Sequence, residues 1–403
     1  MKYDVTIVGA GPAGSTAAKF LSEQGIKTLL IDKDKFPRDK PCGGGLPYRV
    51  IKRYPYVEKE NLVESYSYGG YASLGISTYK LKYEGDEPLV GMVLRKKFDS
   101  KLVELAIDAG SQFKQGKVID IKITNDDAKI FLENGEQIIS DVIIGADGAN
   151  SIIAKKTGLR PKDFLMGVCI LKEFKLDKKT LDDYFTEKRI CHVHSRFGDI
   201  SGYGWVFPKK EHLNIGIGQM VKAKKIEKKV NLNHLFEEYI EALKKENVIP
   251  NNIGVGKTVG GGLPIYPLEK PYSNRLILIG DAGGFISCTT GEGIFYAMAS
   301  GEDAAKVITE AINNRKTDEE SLSKFQEVCY NDFGKELAML KKMIKRQSVG
   351  SVKKMFKKAY YDPKLTKLIL EFSLGKSSIM ENKNALVRRY LYSSFKSFFS
   401  FKK

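Results

Sequence analysis

The sequence predicts a mixed α/β fold: a parallel, Rossmann-type sheet interleaved with a second, β-rich domain and followed by a helical C-terminal region. Three observations predict it. A strand, a glycine turn, a helix and a second strand follow one another within residues 3–32. Two further strand-to-turn segments, at 141–151 and 276–284, return to the same buried-strand character far downstream. Between them lie β-patterned blocks at 65–94 and 165–220, with no internal repeat and no low-complexity linker. The expected division is a discontinuous first domain (1–64, 95–160, 270–312), a β-rich second domain (65–94, 161–269) and a C-terminal region (313–403).

The first unit is readable residue by residue. Asp4-Val5-Thr6-Ile7-Val8 has the apolar, β-branched character of a buried parallel strand. Gly9-Ala10-Gly11-Pro12-Ala13-Gly14 follows at fingerprint spacing, and 15–21 continues as helix. In such a turn the first glycine permits the tight bend, the second lets the backbone approach a pyrophosphate, and the third allows helix–strand contact. The amides and dipole at the helix start then favour phosphate. A second strand, 28–31, ends at Asp32, whose carboxylate can accept from both hydroxyls of a ribose and would repel a 2′-phosphate.

Further elements follow in order. Pro41-Cys42-Gly43-Gly44-Gly45-Leu46-Pro47 is a rigidly punctuated loop. A helix runs from about Lys97 to Ala109, with Phe98, Leu102, Leu105 and Ala106 on one face. Residues 117–145 alternate as a β-meander with its hairpin turn at Glu133-Asn134-Gly135. Gly145-Ala146-Asp147-Gly148 is a strand-to-helix turn with Ser151 suited to cap the next helix. Helices are expected at about 231–246 and 292–312. Gly280-Asp281 ends a buried strand and Gly293-Ile294 opens the helix after it, so an acid for a ribityl hydroxyl stands near free amides. These glycine segments, in this order behind the N-terminal fingerprint, narrow a dinucleotide to FAD. Residues 254–260 imitate a phosphate loop but lead into Leu263-Pro264 rather than a helix, and read as a plain loop.

Composition bounds the rest. The net charge of +17 is uneven: residues 341–403 hold 17 basic and 3 acidic residues, so the body is close to neutral. Five scattered cysteines without a CxxC pair argue against a disulfide framework and fit a reducing cytoplasm. His192-x-His194 lacks a nearby third ligand and reads as alternating strand residues, so no metal is expected. The chain begins directly with the first strand, leaving no room for a signal peptide, and no apolar run is long enough to span a bilayer. High Lys and Glu with few Gln suggest a thermophilic, archaeal-type protein.

The chain resembles the geranylgeranyl reductase family, FAD proteins with the p-hydroxybenzoate hydroxylase fold. The resemblance rests on GAGPAG at 9–14, PCGGG at 41–45, Arg95 before its helix, GADG at 145–148, Gly280-Asp281 with Gly293-Ile294, and Tyr203-Gly204-Trp205-Val206-Phe207-Pro208, a YxWxFP pattern. It covers roughly 1–330 and implies FAD contacts at Ala13, Asp32, Cys42, Gly43, Gly45, Arg95, Val118, Asp281, Gly293 and Ile294. Asp32 stands where many members have Glu, and the CGGG run is closer to the chlorophyll-type branch than to the archaeal lipid-type branch.

The implied activity is saturation of C=C bonds in geranylgeranyl or polyprenyl chains, with hydride from reduced flavin N5 and a proton from a nearby donor. Cys42 is the candidate donor, since loop amides can tune a thiol; the alternative is a small residue packed near the flavin. Tyr203, Trp205 and Phe207 alternate at strand spacing and share a face. That face suits an apolar chain, and it equally suits ordinary core packing. The basic, aromatic tail, including 353–358, 388–392 and 395–403, fits an anionic membrane surface, which implies a cytoplasmic, membrane-peripheral protein. No nucleic-acid recognition fold accompanies it. The electron donor stays open among ferredoxin, a quinol and NAD(P)H. The competing functions are a monooxygenase of the same fold and a non-catalytic flavin-binding, membrane-associated protein.

Overall fold

The computed structural model describes residues 2–220 and 230–400; of Asp199 and residues 395–400 the backbone alone is described. The chain forms two compact units. One comprises Met1–Lys40, Arg95–Met166 and Gly262–Lys341, the other Pro41–Leu94, Gly167–Gly261 and Lys342–Lys403.

The first unit is built on an eight-stranded sheet. Lys2–Val8 lies at its centre, parallel to Thr28–Asp32 on one side and to Gln137–Gly145 on the other. Gln112–Gln115 and Leu276–Leu278 extend the parallel set, and the hairpin strands Val118–Ile123 and Ala128–Leu132 branch from Gln137–Gly145. Central strands enclosed on both faces explain the unbroken buried runs Val5–Val8, with Thr6 among them, and Leu29–Ile31. The crossover helix Pro12–Glu23 packs against the long helix Ile294–Asn313 so closely that a Cβ on Gly301 would stand 2.4 Å from the Ala13 carbonyl oxygen.

The second unit carries a seven-stranded sheet in the order Val259–Pro264, Met166–Lys175, His212–Met220, Gly202–Pro208, Cys191–Ser195, Gly69–Leu74, Thr78–Glu84. One face is covered by Leu232–Lys245, whose Phe236, Tyr239, Ile240 and Leu243 pack on Val206, Ile215 and Ile217. A three-stranded sheet pairs Val90–Met92 with both Gly45–Pro47 and Ser65–Ser67.

Apart from 161–166 and 262–269, which join the first unit, this division differs from the expected one in two larger segments. Residues 41–64 belong to the second unit, because Gly45–Pro47 forms its hydrogen bonds with Val90–Met92. The C-terminal region is not a body of its own. Phe325 and Phe333 pack on Phe285, and Phe333 also on Tyr296, in the first unit. Val352, Phe356, Leu365 and Leu370 close over Ala72 and Leu81 in the second. Each amphipathic helix buries its apolar face on the sheet nearest to it, and the region splits at Lys341. Of the segment 254–260, expected to be a loop, 254–258 is irregular, while Val259 and Gly260 already belong to the strand Val259–Pro264.

Candidate functional site

In the first unit the three glycine segments converge. Gly9 has φ +104°, and a Cβ there would stand 2.3 Å from the Ala146 carbonyl oxygen, so the fingerprint turn lies directly on the 145–148 turn. A Cβ on Gly14 would fall 1.9 Å from the Gly9 oxygen, and one on Gly280 2.9 Å from Ala13 Cβ. The helix Pro12–Glu23 has no capping side chain and no acid in its first turn, leaving the Ala13 and Gly14 amides without a helix carbonyl. Asp32 reaches back to this turn: its Oδ2 accepts from the Ala10 N–H at 2.7 Å and its Oδ1 from the Asp34 N–H at 2.9 Å. Both oxygens keep a further lone pair.

The acids of the two downstream turns differ in their commitments. Asp147, expected among the cofactor residues, is engaged by the protein. Its oxygens accept from Ser151 Oγ at 2.6 Å and from the Ile152 and Ile153 N–H groups at 2.7 and 3.2 Å. Ser151 in turn caps the Ala154 N–H, as its position predicts. Asp281 accepts no side-chain hydrogen bond among the described residues and lies beside Gly293, 3.6 Å from where a Cβ would stand. Burial pushes its carboxyl above the ordinary range, opposed by the positive charges of Lys40, Arg95 and Arg160. The carboxylate is partly open to solvent yet deep among protein atoms. That is the setting of a group awaiting a ligand. Gly293 opens its helix without a side-chain cap, although Glu292 takes the Phe295 N–H at 2.7 Å. Val118 points into the core with Leu29, Ile31 and Leu132, so only its main chain is available to a ligand.

Arg95 is held by a residue the sequence reading missed. Asp99, fully buried, takes Arg95 Nε at 2.7 Å and Nη2 at 2.8 Å, and lies 3.0 Å from Arg38 Nη1, off the hydrogen-bonding direction. The i,i+4 spacing of Arg95 and Asp99 was the available signal. Arg160 was missed as well. It donates to the Ala149 carbonyl at 2.7 Å and lies over the Phe164 ring, while its buried Nε and Nη2 have no hydrogen-bond partner among the described residues. No sequence spacing announces it.

In the second unit the glycine loop lies on the aromatic strand. Tyr203, Trp205 and Phe207 share one face, with ring centroids 5.9 and 6.4 Å apart. Gly216, across from Trp205, leaves room for the indole, since a Cβ there would stand 2.1 Å from the ring. A Cβ on Gly43 would meet Trp205 Nε1 and Phe207 Cδ2 at 3.1 Å, and one on Gly45 would meet Phe207 at 3.3 Å. The loop therefore covers Trp205 and part of Phe207. The half-buried Cys42 thiolate or thiol sulfur accepts the Gly44 N–H at 3.4 Å.

Residues 2–329 match the family model described as FAD binding domain. The digeranylgeranylglycerophospholipid reductase of Methanocaldococcus jannaschii is 32% identical over 340 residues, covering 80% of this chain and 81% of that one. This chain belongs to the geranylgeranyl reductase family. The chloroplastic geranylgeranyl diphosphate reductase of Arabidopsis thaliana is 28% identical over 345 residues, covering 81% of this chain and 70% of that one. Among solved structures, a geranylgeranyl bacteriochlorophyll reductase-like protein from Thermoplasma acidophilum shares the fold, with a TM-score of 0.71 at 23% identity, covering 93% of this chain and 90% of that one.

This reductase-family chain is an FAD-dependent oxidoreductase, and its first unit fits the cofactor. Gly11 leaves open space where a side chain would stand, the nearest protein atom being Arg38 Nη2 at 3.8 Å. The unengaged carboxylate of Asp281 suits a hydroxyl, and the orphaned nitrogens of Arg160 suit an acceptor. His192 and His194 take the structural role expected of them. Burial pushes them down to about 4 and about 3, and His194 Nδ1 pairs with Tyr239 OH at 2.6 Å. Among the described residues no group of metal ligands occurs and no helix is long and apolar enough to cross a membrane.

Proposed function

We propose that this protein saturates C=C bonds in the geranylgeranyl or related polyprenyl chains of lipids, with Cys42 as proton donor. The observation that carries the reading is a thiol fixed in a glycine loop against the YxWxFP strand, in a chain whose relatives are named for reduction of geranylgeranyl compounds. When bound and reduced, FAD supplies a hydride from N5. The amides of Ala13 and Gly14 would hold its phosphates, Asp32 its ribose and Asp281 its ribityl chain, while Arg95 is kept in place by Asp99. An isolated alkene is a poor hydride acceptor, so a proton must reach one carbon as the hydride reaches the other. Cys42 Sγ–H breaks its bond to supply that proton and is reprotonated from solvent. Tyr203, with the exposed part of Phe207, offers apolar surface to the chain. Ferredoxin, a quinol or NAD(P)H supplies the electrons.

The test is anaerobic. Purified protein reduced with dithionite and given digeranylgeranylglycerophospholipid or geranylgeranyl diphosphate should yield products heavier by multiples of two hydrogens. Oxygen incorporation in air would instead mark the monooxygenase reading, and no mass change with either lipid would sink the reductase one. Cys42→Ala should lower turnover by about a hundredfold with flavin content unchanged; undiminished turnover removes the thiol from the mechanism.

A membrane surface is the proposed partner of the C-terminal helices. Met343, Val349, Tyr360, Tyr361, Met380, Val387, Leu391 and Tyr392 are exposed there among the lysines and arginines of a segment with 17 basic and 3 acidic residues. Of the aromatic tail, the side chains of 395–400 and all of 401–403 lie outside the described residues. Vesicles containing phosphatidylglycerol should sediment the protein in a salt-dependent way, and neutral vesicles should not.

A further inference from the structure

Beneath the glycine loop lies a set of polar side chains that the proposed chemistry does not use. Asn214, on the strand His212–Met220, stands opposite Glu173 on one neighbouring strand and Phe207 on the other, so the three share one sheet face in a row. Asn214 is fully buried and every polar atom of its amide is engaged. Its Oδ1 accepts from Trp205 Nε1 at 2.9 Å; its Nδ2 donates to the Cys42 carbonyl oxygen at 3.3 Å and to Glu173 Oε1 at 3.4 Å. An indole N–H can only donate, and a carbonyl and a carboxylate can only accept, so the amide fits in one orientation. Glu173 is held from behind by Lys209, whose side chain is 2% exposed and whose Nζ lies 2.5 Å from Oε1.

The loop is built to meet this set. Gly44 has φ +76°, and a Cβ there would stand 2.3 Å from the Val93 carbonyl oxygen and 2.8 Å from Lys209 Nζ. Its carbonyl takes the Val93 N–H at 2.8 Å, and its own N–H points to Cys42 Sγ. The Cys42 residue is thus tied at two atoms: its carbonyl oxygen to Asn214, and its sulfur to the amide of Gly44, the glycine that leaves room for the Lys209 ammonium. Resting a loop of small residues on an aromatic face requires no buried ions. Placing a buried ammonium and amide there, with a partly exposed carboxylate between them, costs desolvation and returns a fixed geometry.

We propose that Asn214 is a positioning residue for Cys42, oriented by Trp205 and by the Lys209–Glu173 pair. Its effect on turnover rests on the reading of Cys42 as proton donor; its effect on the placement of the thiol does not. The test therefore reads both. In flavin-loaded protein, the alkylation of Cys42 by iodoacetamide is followed peptide by peptide by mass spectrometry, with Cys288 as internal control, across pH. Asn214→Leu is expected to change the Cys42 rate or its pH midpoint by about fivefold while Cys288 is unmoved. The kcat for geranylgeranyl diphosphate should fall by about tenfold with little change in KM or flavin content. The double variant Lys209→Met/Glu173→Gln removes the ion pair together and should give the same pattern in smaller measure, which keeps the question open to measurement should Asn214→Leu fail to fold. Unchanged Cys42 alkylation in the folded variants overturns the proposal. Altered alkylation with unchanged kcat upholds the positioning role and removes Cys42 from the chemistry.

Discussion

Two glycine-rich regions of this molecule differ in how many of their glycines are set by main chain and how many by side chains. In the first unit, Gly9 and Gly14 are forced by main chain: the Ala146 carbonyl in one case, the Gly9 carbonyl in the other. In the second, Gly44 is likewise set by main chain, the Val93 carbonyl, but its neighbours Gly43 and Gly45 are crowded by the side chains of Trp205 and Phe207, some 160 residues downstream. Backbone cannot step aside without breaking a sheet or a helix. An aromatic ring can move by a few tenths of an ångström. The cofactor turn is therefore rigid in kind, and the thiol loop is adjustable at Gly43 and Gly45 on either side of a fixed Gly44, with its accuracy supplied by the polar set beneath it.

The largest expected effect follows from that difference. Gly14→Ala places a methyl 1.9 Å from a carbonyl oxygen, which no rotamer relieves. It should abolish flavin retention and lower stability by about 3 kcal/mol, the upper end of overpacking costs. Gly43→Ala meets its neighbours at 3.1 Å and should leave flavin bound at a cost of about 1 kcal/mol. Because Trp205 is the only tryptophan in the chain, its emission reports the second substitution directly. Equal loss of flavin in both variants would erase the distinction.

A smaller effect separates the acids of the two downstream turns in the first unit. Asp147 caps a helix start with three hydrogen bonds, so Asp147→Ala should cost about 1–2 kcal/mol, read as a lower Tm with FAD affinity nearly kept. Asp281 has desolvation and no described hydrogen-bond donor, so Asp281→Ala should leave the apo protein as stable or more so while weakening FAD. Titration of apo protein with FAD, beside melting curves, checks both; an apo Tm that drops for Asp281→Ala would make it a structural acid.

The same contrast explains what could be read from the sequence. The turns at 9–14, 145–148 and 280–284 each join elements adjacent in the chain, so strand, glycine and helix reveal their purpose locally. Ser151 was legible as a cap for the same reason, whereas Asp147 two turns of logic away was not, because a carboxylate beside a glycine looks alike whether it meets a ligand or a helix start. Asn214 and Glu173 were invisible. Each is an ordinary polar residue in a strand, and only the register between Met166–Lys175 and His212–Met220 brings them under Cys42. The split of the C-terminal helices between units was hidden too, since amphipathicity says that a face is buried and not on which sheet.

The finest comparison is in pH, where the two units carry buried groups of opposite sign. In the second unit, His192 packs against Tyr71 and Phe185, His194 bonds Tyr239, and both are held neutral with values of about 4 and about 3. In the unfolded chain a histidine titrates near about 6.5, so between there and about 4 the unfolded state binds more protons and stability falls on acidification. Each histidine contributes a slope of about 1.4 kcal/mol per pH unit across that window. The buried carboxyls of Asp147 and Asp281 in the first unit are shifted upward, so their contribution is fully present at low pH and is lost as pH rises. The surface carboxylates that are shifted downward, such as Asp120 and Glu136, act only below about pH 4.5. Hydrogen exchange, corrected for its intrinsic rate, should therefore quicken between about pH 7 and about pH 5 in Cys191–Ser195 and Gly202–Pro208 before it does in Lys2–Val8 and Thr28–Asp32. His192→Phe, placed among rings already present, should flatten the pH dependence of the second unit by one histidine's share. Uniform acceleration in both sheets would mean that they open as one cooperative unit and that the histidines set no local weak point.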